Sequence, residues 1–160
     1  IHGSLEVAAT DGHDLRARAH MLAAASMGAV AFQKGLGAMH ALAHSIGGLL
    51  DSHHGLTIAI VMPYVLSANR AAISPTLERL ARALDLAEPS YDGVLAWIME
   101  LRRRLQIPPT LEALGVREEH VEVLATRAAA DPSAATNPLP LDAPAYAALL
   151  QRGRIGQLSV

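Results

Sequence analysis

The feature that most constrains this fold is the recurrence of apolar residues at helical spacing along most of the chain. Alanine is abundant, and segments that alternate β-branched and polar residues are scarce, so helices are favoured over strands. One stripe of this kind, at positions i, i+3, i+4 and i+7, is formed by Leu77, Leu80, Ala81 and Leu84. The pattern predicts an all-α helical bundle.

Capping and helix-breaking residues predict where these helices begin and end. We expect Ser74-Pro75 to open a helix as a cap and a first-turn proline, and Pro63 to kink or break the helix that contains it. The proline-rich segment 131–144 is expected to be extended. The predicted helices cover approximately 14–34, 38–50, Gly55 toward Asn69, Ser74 onward, Ser90 to Pro108, 118–129 and 145–152.

Composition excludes several classes of function. With 160 residues, 51% of them hydrophobic, the chain has enough apolar surface for one folded domain. The net charge of -2 gives no general attraction to nucleic acid or to anionic lipid, and the absence of cysteine excludes disulfides and thiolate sites. We find no signal peptide and no apolar run of the roughly 20 residues that span a membrane. We therefore expect a cytoplasmic location, with neither nucleic acid nor membrane as partner.

The chemistry of the chain is concentrated in four of its eight histidines, His40, His44, His53 and His54, which lie among alanine, leucine, isoleucine and glycine. His40 and His44 share one helix face, and a turn before Gly55 could bring His54 back toward His40. Neutral imidazole is the commonest protein ligand of Zn²⁺ and Fe²⁺. A histidine pair on an apolar helix is also frequently structural, so spacing alone leaves both interpretations open.

The same segment resembles the metal-binding helical domain of the iron-containing (group III) alcohol dehydrogenases. That family has Gly-x-x-His-x-x-x-His-x-x-Gly, a short gap, His-Gly, and an apolar run that ends in proline and asparagine. The matching residues here are Gly37, His40, His44, Gly47, His54, Gly55, Pro63 and Asn69. Segment 31–37 and Asn137-Pro138-Leu139-Pro140 also resemble family elements, and the resemblance extends over nearly all of the chain.

The resemblance implies a two-domain oxidoreductase that moves a hydride between a small alcohol or carbonyl substrate and NAD or NADP. Residues 1–160 would be its C-terminal helical metal-binding domain, and the N-terminal nucleotide-binding domain would be absent from this chain. The domain would hold a divalent metal, Fe²⁺ or Zn²⁺, with His40 and His54 as ligands. His44 would lie near the substrate as a catalytic residue, and no family role transfers to His53.

Two departures limit what this chain would do alone. The family takes two further ligands from an Asp-x-x-x-His element, which these 160 residues lack. Gly35-Leu36-Gly37 does not match a dinucleotide-binding loop, so no cofactor-binding residue is assigned. The start at Ile1 suggests a piece of a longer protein. Because two histidines without the other ligand pair leave the coordination sphere incomplete, we expect these 160 residues to be inactive alone and weak in metal affinity.

Several alternatives stay open at this stage. A related enzyme such as a glycerol dehydrogenase, a maleylacetate reductase or a hydroxyacid transhydrogenase would share the same helical domain. A stand-alone helical metal-binding or interaction module would also fit the composition. The sequence does not distinguish a monomer from a homo-oligomer.

Overall fold

The computed structural model describes residues 1–158, and within that range every regular element is helical. Short 3₁₀ turns separate several of the α-helices, at Phe32–Lys34, Leu111–Leu114, Glu118–His120 and Pro132–Thr136. The α-helices are α1 (Leu5–Thr10), α2 (Leu15–Ala31), α3 (Gly37–Leu50), α4 (His54–Ala68), α5 (Arg70–Ala83), α6 (Tyr91–Arg104), α7 (Val121–Ala130) and α8 (Ala143–Ile155). The predicted all-α fold is confirmed.

The core lies between α3, α4, α7 and α8, and α3 is central to it. Leu42 and Ile46 of α3 are buried against Ile60 of α4, Leu124 of α7 and Tyr146 of α8. Each fully buried leucine or isoleucine side chain contributes about 1.5–3 kcal/mol relative to an exposed one. The packing therefore fixes the orientation of α3, and with it the face that carries the histidines.

The N-terminus of α3 is capped by residues from the far end of the chain. The Thr136 hydroxyl oxygen accepts hydrogen bonds from the backbone N–H groups of Leu36 (3.1 Å) and Gly37 (3.2 Å). The Asn137 side-chain oxygen accepts from the N–H of Ala38 at 3.1 Å. These bonds supply partners for N–H groups that a helix start otherwise leaves unpaired. The 131–137 segment thus anchors the helix that carries His40 and His44.

The prediction for Pro75 was wrong, and of the two outcomes expected at Pro63, the break was wrong. Pro63 lies inside α4 and does not break it. Pro75 lies inside α5, which begins at Arg70 rather than at Ser74. Ser74 is not a cap because its hydroxyl donates to the Arg70 carbonyl oxygen at 2.7 Å, within the helix. The break comes at Asn69 instead, where α4 and α5 meet at 112°.

Within residues 1–158, each helix taken singly is too short or too polar to cross a membrane. Together α4 and α5 have the length and apolar composition of a span, but they meet at an angle of 112°. The longest helix, α2, is apolar and yet mostly exposed, with Ala17 as its single buried residue.

The remaining helix boundaries agree with the sequence in most places. Asp14 caps α2 by accepting from the N–H of Ala17, and Ser90 caps α6 by accepting from the N–H of Gly93, as expected. The short helix α1 was not predicted, and α8 is longer than expected. Segment 131–144 is not wholly extended, because it contains the 3₁₀ turn Pro132–Thr136.

Candidate functional site

Three of the four clustered histidines come together beside the N-terminal half of α3. The ring centroids of His40 and His54 are 5.3 Å apart, and those of His44 and His54 are 5.5 Å apart. The centroids of His40 and His44, one turn apart on α3, are 5.9 Å apart. The structure thus brings together all three residues that the sequence selected as metal ligands or catalytic group.

The turn between α3 and α4 explains how His54 reaches α3. Asp51 ends α3 in the left-handed conformation, with φ of 51°, and its exposed side chain has no role in the cluster. His53 then caps α4, its Nδ1 accepting from the N–H of Leu56 at 3.2 Å. The His53 ring is therefore used to start a helix, and His54 follows in the first turn of α4.

The surroundings of His40 favour its neutral form. Burial, the largest effect, and the nearby rings of His54 and His44 lower its pKa below the ordinary histidine value. The Leu36 backbone and the Asp131 carboxylate oppose this lowering only in part. The buried Nδ1 atom has no hydrogen-bond partner of normal geometry. A neutral imidazole keeps the lone pair that a metal ligand needs.

His44 is paired with a carboxylate that the sequence did not single out. Its Nδ1 lies 3.0 Å from Asp131 Oδ2, and the Asp131 side chain is only 16% exposed against 43% for His44. Burial alone would raise the pKa of Asp131, but hydrogen bonds from Ser133 and His44 outweigh it and hold that pKa below the usual carboxyl range. Asp131 is therefore a carboxylate near neutral pH.

The chemistry of this donor set fits a divalent metal in part. Histidine nitrogens bind Zn²⁺ at about 2.0–2.1 Å. The 5.3 Å between the ring centroids of His40 and His54 is short enough for both rings to reach one ion. Among the residues that the structure describes, however, no group of three or more histidine, cysteine, aspartate or glutamate side chains could hold an ion. Residues 1–158 thus bring together two imidazoles of the kind that a divalent ion accepts, without a full set of ligands around them.

Several other charged or aromatic residues have structural contacts away from the histidines. The Arg102 guanidinium is buried and donates to the Pro108 carbonyl oxygen at 3.2 Å. Glu118 forms an ion pair with Arg154. The ring centroids of Trp97 and His2 are 5.4 Å apart. None of these residues belongs to the histidine cluster.

Comparison with known proteins gives a consistent family. The profile of the Fe-containing alcohol dehydrogenase family, C-terminal part, matches residues 1–153. A 4-hydroxybutyrate dehydrogenase from Cupriavidus necator is 37% identical, over 94% of this chain and 41% of the relative. Alcohol dehydrogenase 4 from Saccharomyces cerevisiae is 34% identical, over 87% of this chain and 37% of the relative.

A solved structure agrees with this result. The crystal structure of a 1,3-propanediol oxidoreductase superposes with a TM-score of 0.90 at 29% identity, over 95% of this chain and 42% of that one. The present chain thus spans about two fifths of the length of these proteins.

Proposed function

Since the chain belongs to the Fe-containing alcohol dehydrogenase family, we propose that it is the C-terminal helical, metal-binding domain of an NAD(P)-dependent dehydrogenase. The proposed enzyme moves a hydride between the carbon of a small alcohol and the nicotinamide ring. The proposal is carried by one observation. His40, His44 and His54, which match the histidines of the family motif, have ring centroids within 6 Å of one another. The nucleotide and the remaining ligands are assigned to a second domain of the same polypeptide.

His40 and His54 are the proposed metal ligands of this domain. When bound, a divalent metal at this position supplies Lewis-acid polarisation of an alcohol or carbonyl oxygen. The environment of His40 supports its assignment, because burial and the neighbouring imidazoles favour the neutral ring. The capping of α4 by His53 supports His54, since it leaves His54 as the histidine of this turn that lies beside α3.

His44 is the proposed proton acceptor. When an alcohol is oxidised, its C–H hydride goes to the cofactor and its O–H proton must go to a base. Nδ1 of His44 is bonded to Asp131, so Nε2 is the nitrogen that remains for the substrate. In the reverse direction the same atom returns the proton to the carbonyl oxygen.

The substrate is proposed only by class, as a small alcohol or its carbonyl product. The relatives are described as dehydrogenases of 4-hydroxybutyrate and of alcohols, and a maleylacetate reductase from Burkholderia cepacia is 33% identical. A panel of ethanol, butanol, 4-hydroxybutyrate and maleylacetate, each with the NAD and the NADP couple, separates these classes. Absence of turnover with every member would favour the stand-alone binding module instead.

The first experiment measures metal content and turnover in the natural polypeptide that carries this chain. We expect His54→Ala to lose bound metal and activity, and His53→Ala, its sequence neighbour, to keep both. We expect His44→Ala to keep metal and to lose turnover. Unchanged metal in His54→Ala would refute the ligand assignment, and normal turnover in His44→Ala would refute the proton transfer.

A further inference from the structure

We propose that Asp131 is a positioning residue that fixes the tautomer and the orientation of His44. In this arrangement Nδ1 of His44 carries the proton and Nε2 is the acceptor that faces the chemistry. The inference deepens the proposed function and rests on it, because it concerns the residue to which that function assigns proton transfer. It concerns a carboxylate that the family motif in the sequence does not include.

Asp131 is held in place by contacts on both of its oxygens. Oδ1 accepts from the N–H of Ser133 at 2.8 Å and thereby starts the 3₁₀ turn Pro132–Thr136. Oδ2 is left for Nδ1 of His44, at 3.0 Å. Because one oxygen is fixed by backbone, the carboxylate cannot rotate away from His44 without losing the start of that turn.

The helices that carry the two partners are also held together beside them. Ser45, the residue after His44, is buried, and its hydroxyl donates to the Leu124 carbonyl oxygen of α7 at 2.8 Å. Asp131 follows directly after the last residue of α7. The distance between His44 and Asp131 is therefore set by the packing of α3 on α7.

The chemistry of the two groups determines the tautomer. An ionised carboxylate accepts hydrogen bonds and donates none, so the Asp131–His44 bond requires a proton on Nδ1. A neutral imidazole with a proton on Nδ1 has its lone pair on Nε2. Without the carboxylate, either nitrogen can carry the proton, and the fraction of His44 able to accept a substrate proton falls.

Asp131→Asn separates this role from the structural one. The asparagine oxygen can still accept from the N–H of Ser133, so the 3₁₀ turn is kept. Its amide group can donate to Nδ1 but cannot accept from it, which favours the other tautomer of His44. The matched control is Asp142→Asn, because Asp142 also caps a helix, through the N–H of Ala145, and does not contact His44.

The direct test is nitrogen NMR of the natural polypeptide with ¹⁵N-labelled histidine, with His44 assigned by its loss in His44→Gln. We expect the Nδ1–H tautomer in the wild type and in Asp142→Asn, and the Nε2–H tautomer in Asp131→Asn. Once His44 is assigned, the wild-type spectrum tests the proposal by itself, so the result does not depend on whether Asp131→Asn folds. Two results would overturn the proposal and leave the proposed function standing. One is an Nε2–H tautomer of His44 in the wild type, and the other is the same His44 tautomer in Asp131→Asn as in the wild type.

Kinetics supply the second test. We expect Asp131→Asn to lower kcat with little change in KM, by about 10- to 100-fold, the range typical when an outer hydrogen-bonding partner of a metal-site side chain is removed. In a His44→Gln background the same change should have no further effect, since it acts through His44. An equal additional loss there would show a merely structural role and overturn the proposal. An altered tautomer with wild-type kcat would support the role of Asp131 and refute the proton transfer assigned to His44.

Discussion

Replacement of Asn137 by alanine should destabilise the domain more than its position in a surface segment suggests. The Asn137 side-chain oxygen accepts from the N–H of Ala38 and from the amide of Asn69, at 3.1 and 3.0 Å. Its amide group donates to the Asn69 oxygen at 2.9 Å and to the Leu139 carbonyl at 2.7 Å. Because Asn69 is only 4% exposed, water cannot replace its lost partners.

The expected cost follows from these four bonds. Each of the two bonds to Asn69 contributes about 1 kcal/mol, and so does the bond to Leu139. Removal of the α3 cap costs about 1 kcal/mol more. The total of about 4 kcal/mol is a large part of the 5–15 kcal/mol that stabilises a typical domain.

Urea denaturation measures this loss, and a double-mutant cycle assigns it. We expect Asn137→Ala and Asn69→Ala to be coupled by about 2 kcal/mol, because the pair shares two hydrogen bonds. Thr136→Ser is the control, since it keeps the hydroxyl that caps the preceding N–H groups. A loss for Asn137→Ala below about 1.5 kcal/mol, or additive effects of the two asparagine variants, would refute the reasoning.

Three further predictions concern single positions. Gly93→Ala should lower the free energy of unfolding by about 1–3 kcal/mol in urea, because its new Cβ would lie 1.9 Å from the Glu88 carbonyl oxygen. His53→Ala should cost about 1 kcal/mol by thermal melting, through the lost cap of α4, with metal content unchanged where His54→Ala loses it. Because the pKa of His40 is lowered, the folded protein binds a proton on this ring less readily than the unfolded chain does. Metal-free protein should therefore lose stability as pH falls below about 6.5, and His40→Asn should flatten this dependence.

Each of these predictions has a control and an outcome that contradicts it. Gly28→Ala places a methyl group in open space on α2 and should raise stability slightly, whereas equal effects at positions 28 and 93 would contradict the steric argument. Loss of metal in His53→Ala would show that the capping histidine also serves as a ligand. Identical pH profiles for wild type and His40→Asn would show that His40 titrates as it does in the unfolded chain.

The sequence was most informative where the structure depends on local interactions. Helical spacing predicts the all-α fold, and side chains such as Asp14 and Ser90 cap helices formed by their own neighbours. The positions of His40 and His44 on one face follow from the same periodicity. His54 joins them because the intervening turn is short, which the sequence also indicates.

The sequence failed where a local signal competes with tertiary contacts. Pro63 predicts a kink or a break and Pro75 predicts a helix start, yet both lie inside helices. The break at Asn69 agrees with the predicted end of the helix that starts near Gly55. The contacts of the Asn69 side chain were not predicted, because it forms two hydrogen bonds with Asn137, 68 positions away. That pairing cannot be derived from spacing, because it exists only once α3, α4 and the late segment have packed together.

The same long-range segment links the position of the histidines to their chemical state. Residues 131–137 cap the N-terminus of α3 through Thr136 and Asn137, and they hold His44 through Asp131. In the sequence this segment is conspicuous only for its prolines. A change that shifts it should therefore displace His40 with α3 and release Nδ1 of His44 at the same time. Metal affinity and proton transfer would then decline together in Asn137→Ala, whereas Asp131→Asn should affect proton transfer alone.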